Sequence, residues 1–251
     1  MNGGEGEICG RGYIVKRILL LAILFATILI GGTGCSMFEK NNNNQPKQDV
    51  NELALEYLEQ KYGEKFEYCA PAGSSYTGTR TFLATCESFG KKRIVVQIDN
   101  YKTDERQFRD NYLALKYEDR LYDYFSEIVN SQFSEFKLYC GAIGVALSAD
   151  LPADATFDEY LKDPAGNITA LAVVKESEYK GKEQLSQILE TITSTCGASR
   201  LSVVVIVIED TRFSDCDYEK AHDCNIRKGY LAKGEILRGE GETFIDYYGG
   251  E

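Results

Sequence analysis

The chain has no tryptophan, one histidine, two methionines and four prolines in 251 residues. A single imidazole, that of His222, removes multi-histidine zinc sites and the HExxH helix, and leaves little room for triads built on a histidine base. Basic residues are also few. Twenty-eight Lys and Arg stand against 39 Asp and Glu, a formal net charge of −11. Such a surface repels polyanions, which excludes nucleic acid as a generic partner and adhesion to anionic lipid by surface charge. No two cysteines have CxxC spacing, so thioredoxin-type redox chemistry and zinc-knuckle spacing are absent. GxSxG, the P-loop and a GxGxxG turn leading into a helix are missing too. What the chain does hold is 43% hydrophobic and 12% aromatic residues, 17 of them Tyr. That is too apolar for a disordered acidic tail.

The N-terminus carries the sharpest signal. Arg11, Lys16 and Arg17 precede an apolar run from Ile18 to Ile30 interrupted by one Thr, and Gly31-Gly32-Thr33-Gly34-Cys35 follows. At about 1.5 Å per residue this run covers about 20 Å as a helix, short of a hydrocarbon core of about 30 Å, which fits an export signal better than a permanent span. Small residues leading into Cys35 resemble the lipobox of bacterial membrane lipoproteins. The resemblance covers roughly Arg11 to Met37. It implies a signal peptide at residues 1–34, cleavage between Gly34 and Cys35, and a diacylglyceryl group on the Cys35 thiol. It also implies residence on the extracytoplasmic face of a cell membrane, with Cys35 as the membrane contact. Residues 35–48 are Asn-rich, polar and without periodicity, and read as a flexible stalk with a root-mean-square reach of about 20 Å. Residues 1–34 hold three basic and two acidic side chains, so the remainder is more acidic still, at −12. A body of that charge needs a covalent tether to stay at anionic lipid.

Residues 49–251 are expected to form an extracytoplasmic α+β domain. Its mixed sheet has a helix-plus-hairpins N-terminal half and a βαβ unit in the C-terminal half, with 148–154 as the candidate division. Asp49 and Glu52 have capping-box spacing before a helix ending at Gly63. Strand-like runs follow at 65–70, 79–87 and 93–99 between glycine turns. Thr103 or Asp104 reads as the cap of one long helix reaching about Val129. Strands are expected near 136–140 and at 167–174, with a stretch at 143–147 that is apolar. A capping box at Thr156 and Glu159 marks a short helix. Leu185, Ile188, Leu189 and Ile192 place a helix at 182–195, and the β-branched run Leu201 to Ile208 reads as a strand buried on both faces. Residues 228–237 and 243–248 read as a terminal hairpin.

Cys9 falls in the discarded segment and Cys35 is spent on lipid. Cys69, Cys86, Cys140, Cys196, Cys216 and Cys224 remain as disulfide candidates, an even number in an exported chain. A hairpin turning about Thr77-Gly78 sets Cys69 opposite Cys86. Cys216 and Cys224 would close a small loop, and Cys140 with Cys196 is left by elimination. Buried free thiols are the alternative.

Catalytic patterns are poor. Ser88-Phe-Gly-Lys91 and Ser177-Glu-Tyr-Lys180 have SxxK spacing, yet about one chance match is expected and the SDN and KTG partners are missing. Asp210, Asp215, Asp217, Glu219 and Asp223 gather near His222 without the EF-hand pattern and read as a solvated acidic loop. No catalytic residue, metal ligand or cofactor is assigned. The tyrosines suit a recognition surface, although core packing explains many of them. The reading is a membrane-anchored lipoprotein with a non-catalytic binding module for an unknown protein or envelope ligand. An envelope enzyme using carboxylates such as Asp215 and Asp217, or a small-ligand binding lipoprotein, are the alternatives.

Overall fold

Asp49 opens the first helix, α1 (Val50–Tyr62), and its side chain accepts a hydrogen bond from Asn51 N at 3.0 Å. Gly63 ends it at φ 73°, the left-handed conformation that glycine adopts without steric penalty. The structure, a computed structural model, describes residues 49–75, 78–142 and 146–249. The expected signal peptide, Gly34, Cys35, the stalk, Thr77 and the stretch 143–145 lie outside the described residues.

Four antiparallel strands follow α1: β1 (Phe66–Ser74), β2 (Arg80–Cys86), β3 (Ile94–Asp99) and β4 (Gln107–Asp110), in the sheet order β1-β2-β3-β4. Burial alternates along β2 and β3, so Phe82, Ala84, Ile94, Val96 and Ile98 face Ala54 and Leu58 of α1. This period-2 pattern is the one expected of a sheet with a single covered face.

The long helix expected from Asp104 onward is instead β4, α2 (Tyr112–Lys116) and α3 (Glu118–Asn130). The open edge of β3 captures Gln107–Asp110 in register from Asp99 to Val96. Asn111 then prolongs the ladder with its side chain, accepting from Val95 N at 2.7 Å, while its own N donates to Val95 O. Helical periodicity at 108 and 112 gives way because these main-chain groups find partners on the sheet.

The second sheet has the order β5-β6-β7-β8-β9, with β5 (Phe136–Ala142), β6 (Ile168–Lys175), β7 (Leu201–Ile208), β8 (Ala232–Gly239) and β9 (Glu242–Gly249). Only β6 and β7 pair in parallel, joined through α5 (Lys182–Thr195), which is the expected βαβ unit within an α+β fold. The short helix α4 (Phe157–Lys162) carries the expected capping box at Thr156 and Glu159. β7 is central, and Val203 to Ile208 are all buried. Burying each Val or Ile contributes about 1.5–3 kcal/mol.

One face of this sheet packs on α3 and α5 through Leu121, Phe125, Leu185, Ile188, Leu189 and Ile192. Gly234 of β8 lets α5 lie close, since a Cβ there would meet Leu189 Cδ1 at 2.9 Å. The Arg238 guanidinium caps the C-terminal end of α5, donating to Thr193 O at 2.8 Å, Cys196 O at 2.5 Å and Ala198 O at 3.3 Å. The opposite face is covered by α6 (Asp210–Phe213) and α7 (Tyr218–Ile226), where the acidic stretch was expected to be a loop. Asp217 makes α7 possible by capping it, accepting from Lys220 N.

Asp110 ties α1 to the start of α2 and to the segment that leads into the candidate division. Its side chain, 1% exposed, accepts from Lys61 Nζ at 3.1 Å, Tyr62 OH at 2.7 Å and Tyr112 N at 2.9 Å, and its carbonyl accepts from Leu147 N. Arg109 donates to Ala146 O and Leu147 O, and Ser148 bonds Asp163. The segment beginning the candidate division at 148–154 is therefore stitched to both sides.

Candidate functional site

A cavity of about 470 Å³ lies where β5 meets the helices on either side of its sheet. Leu138, Tyr139, Cys140 and Gly141 of β5 line it, with Glu118, Asp119 and Tyr122 from α3, Tyr218 from α7, Thr169 from β6, and Lys92. Each wall has a physical cause. α3 is held by Leu121, Phe125 and Val129 in the core, which turns Tyr122 outward to 44% exposure. On the other wall, Lys137 Nζ donates to Ser214 O and Cys216 O at 2.8 Å, and Tyr139 OH donates to Cys216 O at 3.0 Å. These bonds fix the chain entering α7 and bring Tyr218, 52% exposed, edge-on to Tyr139 with centroids 5.6 Å apart. The His222 ring lies tilted against Tyr218, with centroids 5.8 Å apart.

The electrostatics of the groove are mildly negative. Lys92 is bonded to Glu118, which raises its pKa above the ordinary lysine value, and Asp119 adds to the effect. Burial, and then the charge of Glu118, push the Cys140 thiol up to about 11. Cys140 is thus a protonated, poorly nucleophilic thiol at neutral pH. Burial likewise raises the Tyr139 phenol, with Cys216 and Asp217 acting in the same direction. Thr169 Oγ1 donates to Gly141 O at 3.0 Å. Two exposed rings, a half-buried one and main-chain groups are equipment for contact and hydrogen bonding.

A second cavity of about 430 Å³ sits between the C-terminal end of β7 and α7, and Asp215, Cys216, Asp223 and Cys224 line it with Arg212, Lys220 and Arg227. Its cations are bonded to groups of the cavity's own wall. Arg227 pairs with Asp223 at 3.3 Å, Lys220 donates to Asp215 O at 2.7 Å, and Arg212 donates to Gly229 O and to Cys224 Sγ. The acidic residues suggested by the sequence do not converge. Asp210 is held by Ser177 N, Asp217 caps α7, and only Asp215 and Asp223 share the cavity. Among the described residues, no three His, Cys, Asp or Glu side chains gather as a metal-ligand set.

All six candidate disulfide cysteines are free thiols. Cys69 does not face Cys86: a bulge follows Tyr68, and Phe66 is the residue opposite Cys86. Three residues of strand, about 10 Å, separate the two positions, beyond the reach of a bridge at about 7 Å. Cys216 and Cys224 line the same cavity, and both thiols are free. Cys140 sits near Glu118 and Tyr160, while Cys196 contacts Tyr124 and Arg238. Of the SxxK serines, Ser88 donates to Glu64 at 2.8 Å.

The groove-lining residues Tyr122, Tyr139, Tyr218 and Thr169 were not singled out by sequence patterns. The abundance of Tyr was the signal that pointed toward them. No protein-family model matches the sequence, and no curated protein is similar to it. Among solved structures, a DUF5037 family protein from Ruminococcus gnavus ATCC 29149 is similar at 13% identity and a TM-score of 0.40, over 78% of this chain and 94% of its own. At that similarity the neighbour lends neither fold nor activity to this chain.

Proposed function

We propose that the chain is a bacterial lipoprotein of the extracytoplasmic membrane face, tethered through lipid on Cys35, whose acidic α+β body is a non-catalytic binding module of the cell envelope. The observation that carries the binding reading is the groove at β5, where exposed Tyr122 and Tyr218 flank Tyr139 and strand main chain. Exposed aromatic side chains in a concave surface are what recognition sites use for contact area at low entropic cost. The tether is supported by the 13-residue apolar run ending at Thr33-Gly34-Cys35. Among the described residues, no helix is long and apolar enough to cross a membrane. Two acyl chains on one cysteine hold a protein at a bilayer stably, where one does so only marginally.

The test is metabolic labelling with a fatty-acid analogue, followed by membrane fractionation of wild type and Cys35→Ala. Label and membrane retention are expected in the wild type and lost together in the variant. Retention of both in Cys35→Ala overturns the tether.

A further inference from the structure

Side chains alternate across β5. Phe136, Leu138 and Cys140 face the α3 and α5 core, whereas Lys137 and Tyr139 face Phe213 and the chain before α7. Leu138, Cys140 and Tyr139 nonetheless line one cavity, together with Tyr122 from one side of the sheet and Tyr218 from the other. Residues of opposite faces meet in a single cavity only along the free edge of their strand. β5 is an edge strand: it pairs with β6 on one side and, among the described residues, with no strand on the other. The floor of the groove therefore carries the main-chain donors and acceptors of every second residue between Leu138 and Gly141, the others being turned toward β6. Gly141 has no side chain to obstruct an approach, and the space where its Cβ would stand is open.

An unpaired strand edge selects for another strand, because an extended chain satisfies its main-chain groups in sequence while alternate side chains fall to either wall. Here those walls offer Tyr122 and Tyr218 for apolar contact. They carry Glu118 and Asp119 against Lys92, which is itself bonded to Glu118, in a chain of net charge −11. The complement of that surface is cationic. We propose that the β5 edge is a strand-addition site for an extended segment of a partner protein bearing Lys or Arg, with main-chain pairing to Leu138–Gly141 and contacts to the two tyrosines. The proposal rests on the binding-module reading and gives it a ligand class.

The full chain, in detergent, is panned against a displayed library of random 12-residue peptides, and the enriched peptides serve as probes. Enrichment in Lys and Arg is expected, with slowed amide exchange at Leu138–Gly141 when peptide is bound. Affinity should fall at least tenfold in Tyr122→Ser/Tyr218→Ser, and at least tenfold when alternate peptide amides are N-methylated, which keeps every side chain but blocks strand pairing. Phe244→Ser, on the far edge strand β9, should leave affinity unchanged. Peptides that bind equally after N-methylation, that are predominantly acidic, or that lose affinity in Phe244→Ser overturn the proposal, as does a library that yields no binder. Concentration-dependent self-association that is abolished by the tyrosine double variant overturns it in favour of a second copy of this chain. Binding on a glycan array that needs the same tyrosines overturns strand addition while leaving the binding-module reading standing.

Discussion

Replacing Lys61 with Met is expected to destabilise the protein by about 3 kcal/mol, near the lower end of the range for breaking a buried ion pair. Lys61 and Asp110 are 11% and 1% exposed, so water does little to screen them from each other. Methionine keeps the apolar stem of Lys61 and removes only the ammonium. The Asp110 carboxylate then stays buried with the Tyr62 hydroxyl and the Tyr112 amide as its side-chain donors. Those two bonds keep the cost at the lower end of about 3–5 kcal/mol. For a domain of about 200 residues, about 3 kcal/mol corresponds to a Tm lowered by about 6–12 °C. Adding Asp110→Asn removes the stranded charge while keeping a side-chain oxygen as an acceptor for Tyr62 or Tyr112, so the double variant should recover about 2 kcal/mol. Urea unfolding followed by circular dichroism and tyrosine emission reads both values; with no tryptophan present, the emission reports tyrosine alone. The slope against urea should be unchanged, since the surface exposed on unfolding is the same. A loss below about 1 kcal/mol for Lys61→Met, or a double variant no more stable than the single one, would refute the picture of a desolvated pair.

In the native protein, Cys69 is exposed and Cys140 has a thiol raised to about 11, so iodoacetamide at pH 8 should label Cys69 long before Cys140; peptide mass mapping over time would reveal the reverse order. Denatured but unreduced protein should accept alkyl groups on all six body cysteines, and each bridge in the isolated protein would lower that count by two. Burial pushes the Glu64 carboxyl upward, but hydrogen bonds from Tyr112 and Ser88 outweigh it and hold the pKa below 4.5. The stability this contributes is complete above about pH 4.5 and is lost as pH falls through the lower folded value, so Glu64→Gln should cost stability at pH 6 and progressively less below pH 4, read from urea midpoints. Arg238→Met should lower stability by about 2 kcal/mol, because three carbonyls at the end of α5 lose a cationic donor, and should speed amide exchange in the last turn of α5; unaltered exchange there would show that the cap is dispensable.

Where local chemistry decides the conformation, the sequence was readable. Asp49 and Gly63 bracket α1, Thr156 and Glu159 make their capping box, and the unbroken β-branched run of β7 marks a strand covered on both faces. Where a distant partner decides, it was not. Phe108, Tyr112 and Leu115 have helical spacing, but the edge of β3 takes residues 107–110 as a strand, and nothing local announces that edge. The Cys69 pairing fails because β1 slips twice against β2, between Tyr68 and Ala70 and between Pro71 and Gly73, so that Phe66 comes to lie opposite Cys86. The groove was hidden for the same reason. Tyr122 looks like part of an apolar helix face until α3 is docked through Leu121 and Phe125, and the freedom of β5 on one side follows from strand order rather than from any residue in it.

That strand order bears on how the molecule assembles. In both sheets the spatial order of the strands is the order of synthesis, with no later strand inserted between earlier ones. Each strand can thus add to an edge that already exists as the chain emerges, and only the β6 to β7 step must wait for an intervening crossover helix. Growth proceeds in one direction: β5 starts the second sheet, every later strand joins on its far side, and β9 closes the series. Pulse-labelled amide exchange during refolding should protect the β1–β4 meander, with its short loop closures, ahead of the β6–β7 pair.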